Sequence, residues 1–237
     1  MKVYCIGAGG GASYLLPVLV RSIQNEERIQ ELIIIDRDTL EERNVERQLF
    51  RFDDVGKSKA EAMAESLQEF SRIPITPITE WLTATTVIDP DSFIICLVDN
   101  HVARLAVLEI CDQTGSYAVI GGNELWSADA YYYNPVFKDS MADPRIRYPE
   151  ILTDVSDDPT RPPCNDEDAL EAAPQSAHAN AISASFCMQL IQLYLLLIDD
   201  YDIEDDELRN ALPIEYSNTK TGIRTTTFGQ LIPTEGE

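Results

Sequence analysis

Short apolar runs, each too brief for a helix, set the frame of this chain: Lys2–Ile6, Leu32–Ile35, Phe93–Val98 and Tyr117–Ile120. Runs of this kind suit strands covered on both faces. Helix-like patterns lie between them, at about Ala12–Gln24, Lys57–Arg72 and Val102–Thr114. Ile73–Ile78 reads as extended, and Pro74 and Pro77 place it at a sheet edge or in a loop. The first unit is therefore strand, Gly-rich turn, helix and strand, within the length of one βαβ unit.

The second half has a different pattern. Ala128–Asn134 alternates weakly and predicts an antiparallel strand. Residues 135–173 hold six prolines and little periodicity, which predicts a long irregular segment of the kind that is usually functional or disordered. Pro174–Ile198 predicts a long apolar helix. An acidic connection comes next, around Asp199–Glu207, and a hairpin is expected from Ile214–Ser217 and Ile223–Phe228 about Lys220-Thr221-Gly222. The fold class is α/β: a Rossmann-like mixed sheet, parallel in the N-terminal half, with antiparallel strands added in the C-terminal half.

Composition narrows the partners. The 237 residues suit one α/β domain with an elaborated loop. The net charge of −23 repels nucleic-acid phosphate and anionic lipid, so neither nucleic acid nor membrane is an expected partner. The five cysteines are odd in number and form no Cys-x-x-Cys pair, so no disulfide framework or structural zinc site is signalled. Cys5, Cys96, Cys111 and Cys187 sit in apolar runs and read as core residues, unlike Cys164. His101 and His178 lack metal-ligand spacing, and Trp126 and Tyr131–Tyr133 read as sheet-edge packing. The N-terminus enters a strand without a basic leader or cleavage site, so a reduced, cytoplasmic protein is expected.

The chemistry begins at Gly7-Ala8-Gly9-Gly10-Gly11-Ala12. Gly7 permits a tight turn, Gly9 lets a phosphate approach the backbone, and Gly10 opens a helix whose free N–H groups face an anion. Asp36 ends the second strand, where a ribose is commonly held. A dinucleotide-dependent oxidoreductase would share both features. The stretch after Asp36 separates the two: "IDRDTLEERNVERQLF" places Asp38, Asn44, Arg47 and Gln48 where a dehydrogenase would start a helix. "DDVGKSKAEAMAE" then puts Lys59 at the head of the next helix, and "CLVDNHVARLAVLEIC" puts Asp99 and Asn100 at a strand's C-terminal end. The alternative for the arginines is that Arg43, Arg47 and Arg51 form only surface ion pairs.

This ordered set over the first half of the chain resembles the ThiF/MoeB superfamily, which adenylates the C-terminal glycine of a small ubiquitin-like or sulfur-carrier protein. The resemblance implies ATP and Mg²⁺ as cofactors, and a homodimer. It implies that Asp36 holds the ribose, that Asn44, Arg47 and Gln48 contact phosphates, that Lys59 binds phosphate, and that Asp99 holds the metal beside Asn100. It also makes Cys164, after Pro162 and Pro163, the candidate thioester nucleophile, although Asp166, Glu167 and Asp168 would raise its pKa. The expected layout is a single ThiF-like adenylation domain over 1–237, with 135–173 an irregular crossover loop and 199–237 an acidic linker plus the hairpin.

Three departures from the family accompany the match. No segment precedes the first strand to supply an arginine finger to a neighbouring subunit, so Arg21 or a partner's basic residue is expected in its place. The zinc-binding Cys-x-x-Cys pairs are absent, and no second domain is attached. The expected activity is ATP-dependent adenylation of a carrier's C-terminal carboxylate, with thioester formation as the next step. The competing readings are a non-catalytic ThiF-like partner and an NAD-dependent oxidoreductase.

Overall fold

In the computed structural model, which describes residues 1–124, 126–153, 176–197, 212–219 and 222–231, eight strands form one mixed sheet. In chain order the strands are β1 (Lys2–Ile6), β2 (Glu31–Ile35), β3 (Ile75–Ile78), β4 (Phe93–Cys96), β5 (Tyr117–Asn123), β6 (Ala128–Tyr133), β7 (Pro213–Thr219) and β8 (Gly222–Thr227). Across the sheet their order is β3-β2-β1-β4-β5-β6-β7-β8. The first five pair in parallel, and β6, β7 and β8 add antiparallel.

The buried apolar runs occupy the centre. Val3–Ile6, Leu32–Ile35 and Phe93–Cys96 are buried at every position, because helices cover both faces of parallel strands. The strand that carries Pro77, Ile75–Ile78, goes to the outer edge, where a missing N–H breaks no ladder. The glycine pair expected to end the fifth strand instead lies inside it. Gly121 and Gly122 face Ala130 and Asp129, so antiparallel pairing carries β5 on to Asn123.

Among the described residues the helices are α1 (Gly10–Ile23), α2 (Glu42–Val45), α3 (Lys59–Gln68), α4 (His101–Thr114), α5 (Pro144–Arg147), α6 (Glu150–Thr153), α7 (Ala177–Ile191) and α8 (Phe228–Leu231). Ser58, Asn100 and Ser176 cap α3, α4 and α7 with side-chain oxygens that accept from the first turn. α1 packs against α7, and α7 lies across β5 and β6. The chain turns into π-helical geometry at Gln192–Leu197, where Tyr194 stacks 3.6 Å from Tyr132. No helix among the described residues is long and apolar enough to cross a membrane.

The start of the supposed irregular segment is ordered. Residues 135–153 contain a 3₁₀ turn at Pro135–Phe137 and both α5 and α6. Two of their prolines, Pro135 and Pro144, sit at first-turn positions, where proline is compatible with helix and lacks only an orphan N–H. Cys164, the remainder of 135–173 from residue 154 on, residues 199–211, and Lys220 and Thr221 of the expected hairpin turn lie outside the described residues. Cys5, Cys96, Cys111 and Cys187 are core thiols, and burial raises each pKa, that of Cys96 to about 11. Tyr131–Tyr133 are buried within the sheet, whereas Trp126 is exposed on the connection before β6, not packed as expected.

Candidate active site

The strand order reverses between β1 and β4, and the C-terminal ends of the strands open there into a pocket of about 690 Å³. Open α/β sheets bind ligands at such switch points, and this volume lies in the usual range for small-molecule sites. The expected residues converge on it. Gly7, Gly9 and Gly10 come from the β1–α1 turn, and Asp36 and Asp38 from the end of β2. Asn44, Arg47, Gln48 and Lys59 come from α2 to α3, and Asp99 and Asn100 from the β4–α4 turn.

The three glycines do different work. Gly7 has φ +91, and a side chain there would meet the Leu97 carbonyl oxygen at 2.7 Å, so the turn requires glycine. A Cβ at Gly9 would meet nothing within 4 Å, which leaves open space over the N-terminus of α1 for an anion. At Gly10 a Cβ would fall 2.2–2.4 Å from the carboxamide atoms of Asn180. That glycine makes room for a protein side chain. Gly9→Ala is therefore expected to fold with an unchanged melting temperature but to bind a nucleotide phosphate at least about tenfold more weakly, the loss of one charge-assisted contact. Calorimetry with equal affinities for the two proteins would overturn the assignment of this turn.

Asp36 builds the turn as well as facing the pocket. Its Oδ2 accepts the Ala8 N–H at 2.6 Å and its Oδ1 the Asp38 N–H at 2.7 Å. Burial raises its pKa, opposed by those N–H bonds and by Lys59. Each oxygen keeps a second lone pair that a ribose hydroxyl can use. Lys59 opens α3, and its Nζ lies 2.7 Å from Asp38 Oδ2. Its main-chain N–H also donates to the Asp38 carbonyl at 2.9 Å. The ammonium is thereby held at the pocket by a half-exposed carboxylate.

The arginines divide. Arg43 pairs with Glu41, and Arg51 with Asp54 and Glu69, so these two are surface ion pairs. The Arg47 guanidinium makes no hydrogen bond or ion pair among the described residues and lines the pocket. Asp99 is likewise exposed and unpaired there. Asn44 is buried; its Oδ1 accepts the Glu41 N–H in a capping box, which leaves its Nδ2 and a second oxygen lone pair for a ligand. Asn100 spends its Oδ1 on the Ala103 N–H as the cap of α4. Gln48 is buried, with its Oε1 unpaired among the described residues.

Arg21 does not supply the missing cation. It lies in the last turn of α1, about 16 Å along the helix axis from its start, stacked 4.1 Å from the Phe70 ring and donating to the Pro17 carbonyl. The pocket has other cations that the sequence did not single out. Arg37 lies 4.7 Å over the Trp81 ring, and both line the pocket beside Glu80 and Leu82. Arg104, one helical turn past Asn100, donates to the Val98 carbonyl at 3.2 Å, while its buried Nε has no partner among the described residues. The i, i+4 spacing from the cap was the available signal for Arg104. Nothing in the sequence joined Arg37 to Trp81.

The donor set fits a nucleotide triphosphate. A glycine turn offers space and N–H groups, Arg47 and Lys59 offer charge, and Asp99 offers a free carboxylate. Mg²⁺ characteristically takes one or two carboxylates together with substrate phosphates. No group of three or more His, Cys, Asp or Glu arranged to hold a metal occurs among the described residues.

Known proteins resemble the chain in sequence and in fold. Over 132 residues the chain is 29% identical to ubiquitin-like modifier-activating enzyme 5 of Arabidopsis thaliana, a match covering 47% of this chain and 30% of that protein. Its fold is similar to that of E. coli MccB solved with succinimide, with a TM-score of 0.67 at 21% identity, covering 98% of this chain and 65% of MccB. MccB solved with ATP gives 0.63 at 22% identity, with the same coverage. PaaA gives 0.65 at 20% identity, covering 95% of this chain and 72% of PaaA. The chain thus spans about two thirds of MccB and less than a third of the Arabidopsis enzyme. The ThiF family profile matches residues 1–212, and the chain belongs to the ThiF family.

Proposed function

We propose that this protein binds ATP and Mg²⁺ in the pocket and adenylates the C-terminal carboxylate of a small ubiquitin-like, sulfur-carrier or peptide substrate. The observation that carries the reading is the meeting of Arg47 and Asp99, both unpaired among the described residues, with a tethered Lys59 around the open Gly9 turn. An NAD-dependent oxidoreductase gives no task to that set. E. coli MccB has been solved with ATP and with its peptide MccA, which supports a peptide or small-protein terminus as the acyl group.

A carboxylate is ionised at neutral pH, so the reaction needs no general base. The carboxylate oxygen forms a bond to the α-phosphorus, the bond to the bridging oxygen breaks, and pyrophosphate leaves with that electron pair. Arg47 and Lys59 would neutralise phosphate charge, with Asn44, Gln48 and the Gly9–Gly10 N–H groups orienting the phosphates and Asp36 the ribose. Asp99, beside Asn100, would hold Mg²⁺, which supplies further charge neutralisation when bound. Cys164 is the proposed acceptor if a thioester forms next, its thiolate displacing AMP. We propose a homodimer.

The test is calorimetric binding of Mg·ATP together with ATP–pyrophosphate exchange in the presence of carriers and peptides of varied C-termini. Lys59→Ala and Asp99→Ala are each expected to weaken Mg·ATP binding roughly 10- to 150-fold, the loss of one hydrogen bond to a charged group. Unchanged affinity in both variants would overturn the site. Tight ATP binding without exchange toward any carrier would favour a non-catalytic ThiF-like partner.

A further inference from the structure

Asn180 touches the site from behind. It lies on α7, is completely buried, and does not line the pocket. Its Nδ2 donates to the main-chain carbonyl of Arg47 at 3.2 Å, across 133 positions of sequence. Its carboxamide lies against Gly10, in the space a side chain there would fill. A second fastening runs beside it. The buried Ser13 hydroxyl donates to the Gly10 carbonyl at 2.8 Å and accepts the Leu49 N–H at 3.0 Å. The segment Arg47–Leu49 is thus pinned at one end to Asn180 of α7, which packs against Gly10, and at the other to Ser13 in the first turn of α1, the turn whose free N–H groups face the pocket.

We infer that Asn180 is a positioning residue for Arg47: through Gly10 and the Arg47 carbonyl it sets the guanidinium relative to the phosphate-facing turn. The inference rests on the adenylation reading for its kinetic consequence, but not for its structural one. A leucine has the same branching at Cγ, is larger, and lacks the donor. The buried carboxamide carries an Oδ1 without a partner among the described residues, a cost to stability that packing alone does not require. What the amide adds is the bond to Arg47. The Arg47 side chain forms no hydrogen bond or ion pair among the described residues to fix its place, so the position of its charge depends on its backbone. A displacement of about 1 Å at a charged catalytic group can cost about a hundredfold in rate.

The experiment uses the full chain with Asn180→Leu, and Asn180→Ala as a second variant should leucine fail to fold. Hydrogen exchange read by mass spectrometry is expected to speed up at residues 44–50 by about tenfold or more, with 2–6 and 31–35 unchanged, local opening without global loss. Pyrophosphate exchange is expected to fall about 10- to 100-fold, with KM for ATP within about threefold of wild type. In an Arg47→Ala background the same Asn180 substitution is expected to cost almost nothing, because its effect passes through Arg47. Unaltered exchange at 44–50 would overturn the clamp. Losses that multiply in the double variant would overturn its action through Arg47 and leave Asn180 a packing residue. If the wild type performs no pyrophosphate exchange at all, the adenylation reading fails, and the hydrogen-exchange result still decides the clamp.

Discussion

Arg47→Ala is expected to slow ATP–pyrophosphate exchange about 10²–10³-fold, equivalent to roughly 2.7–4 kcal/mol of transition-state stabilisation. The guanidinium faces the pocket without an ion pair among the described residues, so its removal orphans no buried carboxylate. The melting temperature should therefore remain within about 1 °C. Nucleotide affinity should fall less than rate, because charge on the transferring phosphoryl oxygens is redistributed as the bridging bond breaks. Equal losses in affinity and rate would assign Arg47 to ground-state binding instead. Arg47→Lys should recover only part of the rate, since an ammonium lacks the planar fork that grips two phosphate oxygens.

The largest expected effect on stability lies elsewhere, at Arg145. This side chain, nearly buried, gathers three elements. It donates to Asp112 of α4 at 2.8 Å, to Asp143 at 2.9 Å and to the Tyr133 hydroxyl of β6 at 2.6 Å. The Tyr133 hydroxyl in turn donates to Asp112 at 2.5 Å, and Lys138 closes the group at 3.1 Å. Arg145→Ala removes the common partner of two shielded carboxylates. Breaking such a pair typically costs about 3–5 kcal/mol, which for a chain of this size is a drop of about 6–20 °C in melting temperature. Scanning calorimetry checks it, and a shift below about 2 °C would mean that water replaces the guanidinium without penalty.

The pH dependence has a defined sign. Burial pushes the Asp112 carboxyl up, but hydrogen bonds from Arg145, Tyr133 and Lys138 together hold it below the ordinary carboxylate range. A depressed carboxylate contributes stability above its unfolded pKa and loses it as pH falls through the folded value. The gap in melting temperature between wild type and Arg145→Ala should therefore be widest near neutral pH. It should narrow below about pH 4, where the unfolded carboxylate protonates.

The same network explains why the Pro-rich segment misled. Its prolines and weak periodicity gave no local reason for structure, yet 135–153 is tied to α4 by the Arg145–Asp112 ion pair and to β6 by the Arg145 bond to the Tyr133 hydroxyl. Hydrophobic periodicity reports which face of an element is buried, and an ion network has no such period. Arg37 over Trp81 was missed for a related reason: its two members lie 44 positions apart, on loops after different strands.

By itself the sequence determined the strands, the glycine turn and the neighbourhood of the site, and it limited β3 to a sheet edge or a loop. Each of these rests on short-range physics. A run of Ile and Val can be buried only in a strand or helix core, Pro77 cannot serve a central ladder, and Gly7 must take a positive φ. It also placed Asp36, Lys59 and Asp99 at element ends, where an α/β sheet brings loops together. Only the tertiary structure decided which charges stay free and which are spent. Among the described residues Arg43 and Arg51 are paired while Arg47 is not, Arg21 faces away, and Asn44 and Asn100 give an oxygen each to a helix cap. Those outcomes depend on the distance between side chains once the chain has closed on itself. Asn180 reaches Arg47 only because α7 packs on α1. Contacts between residues so far apart leave no periodic trace along the chain.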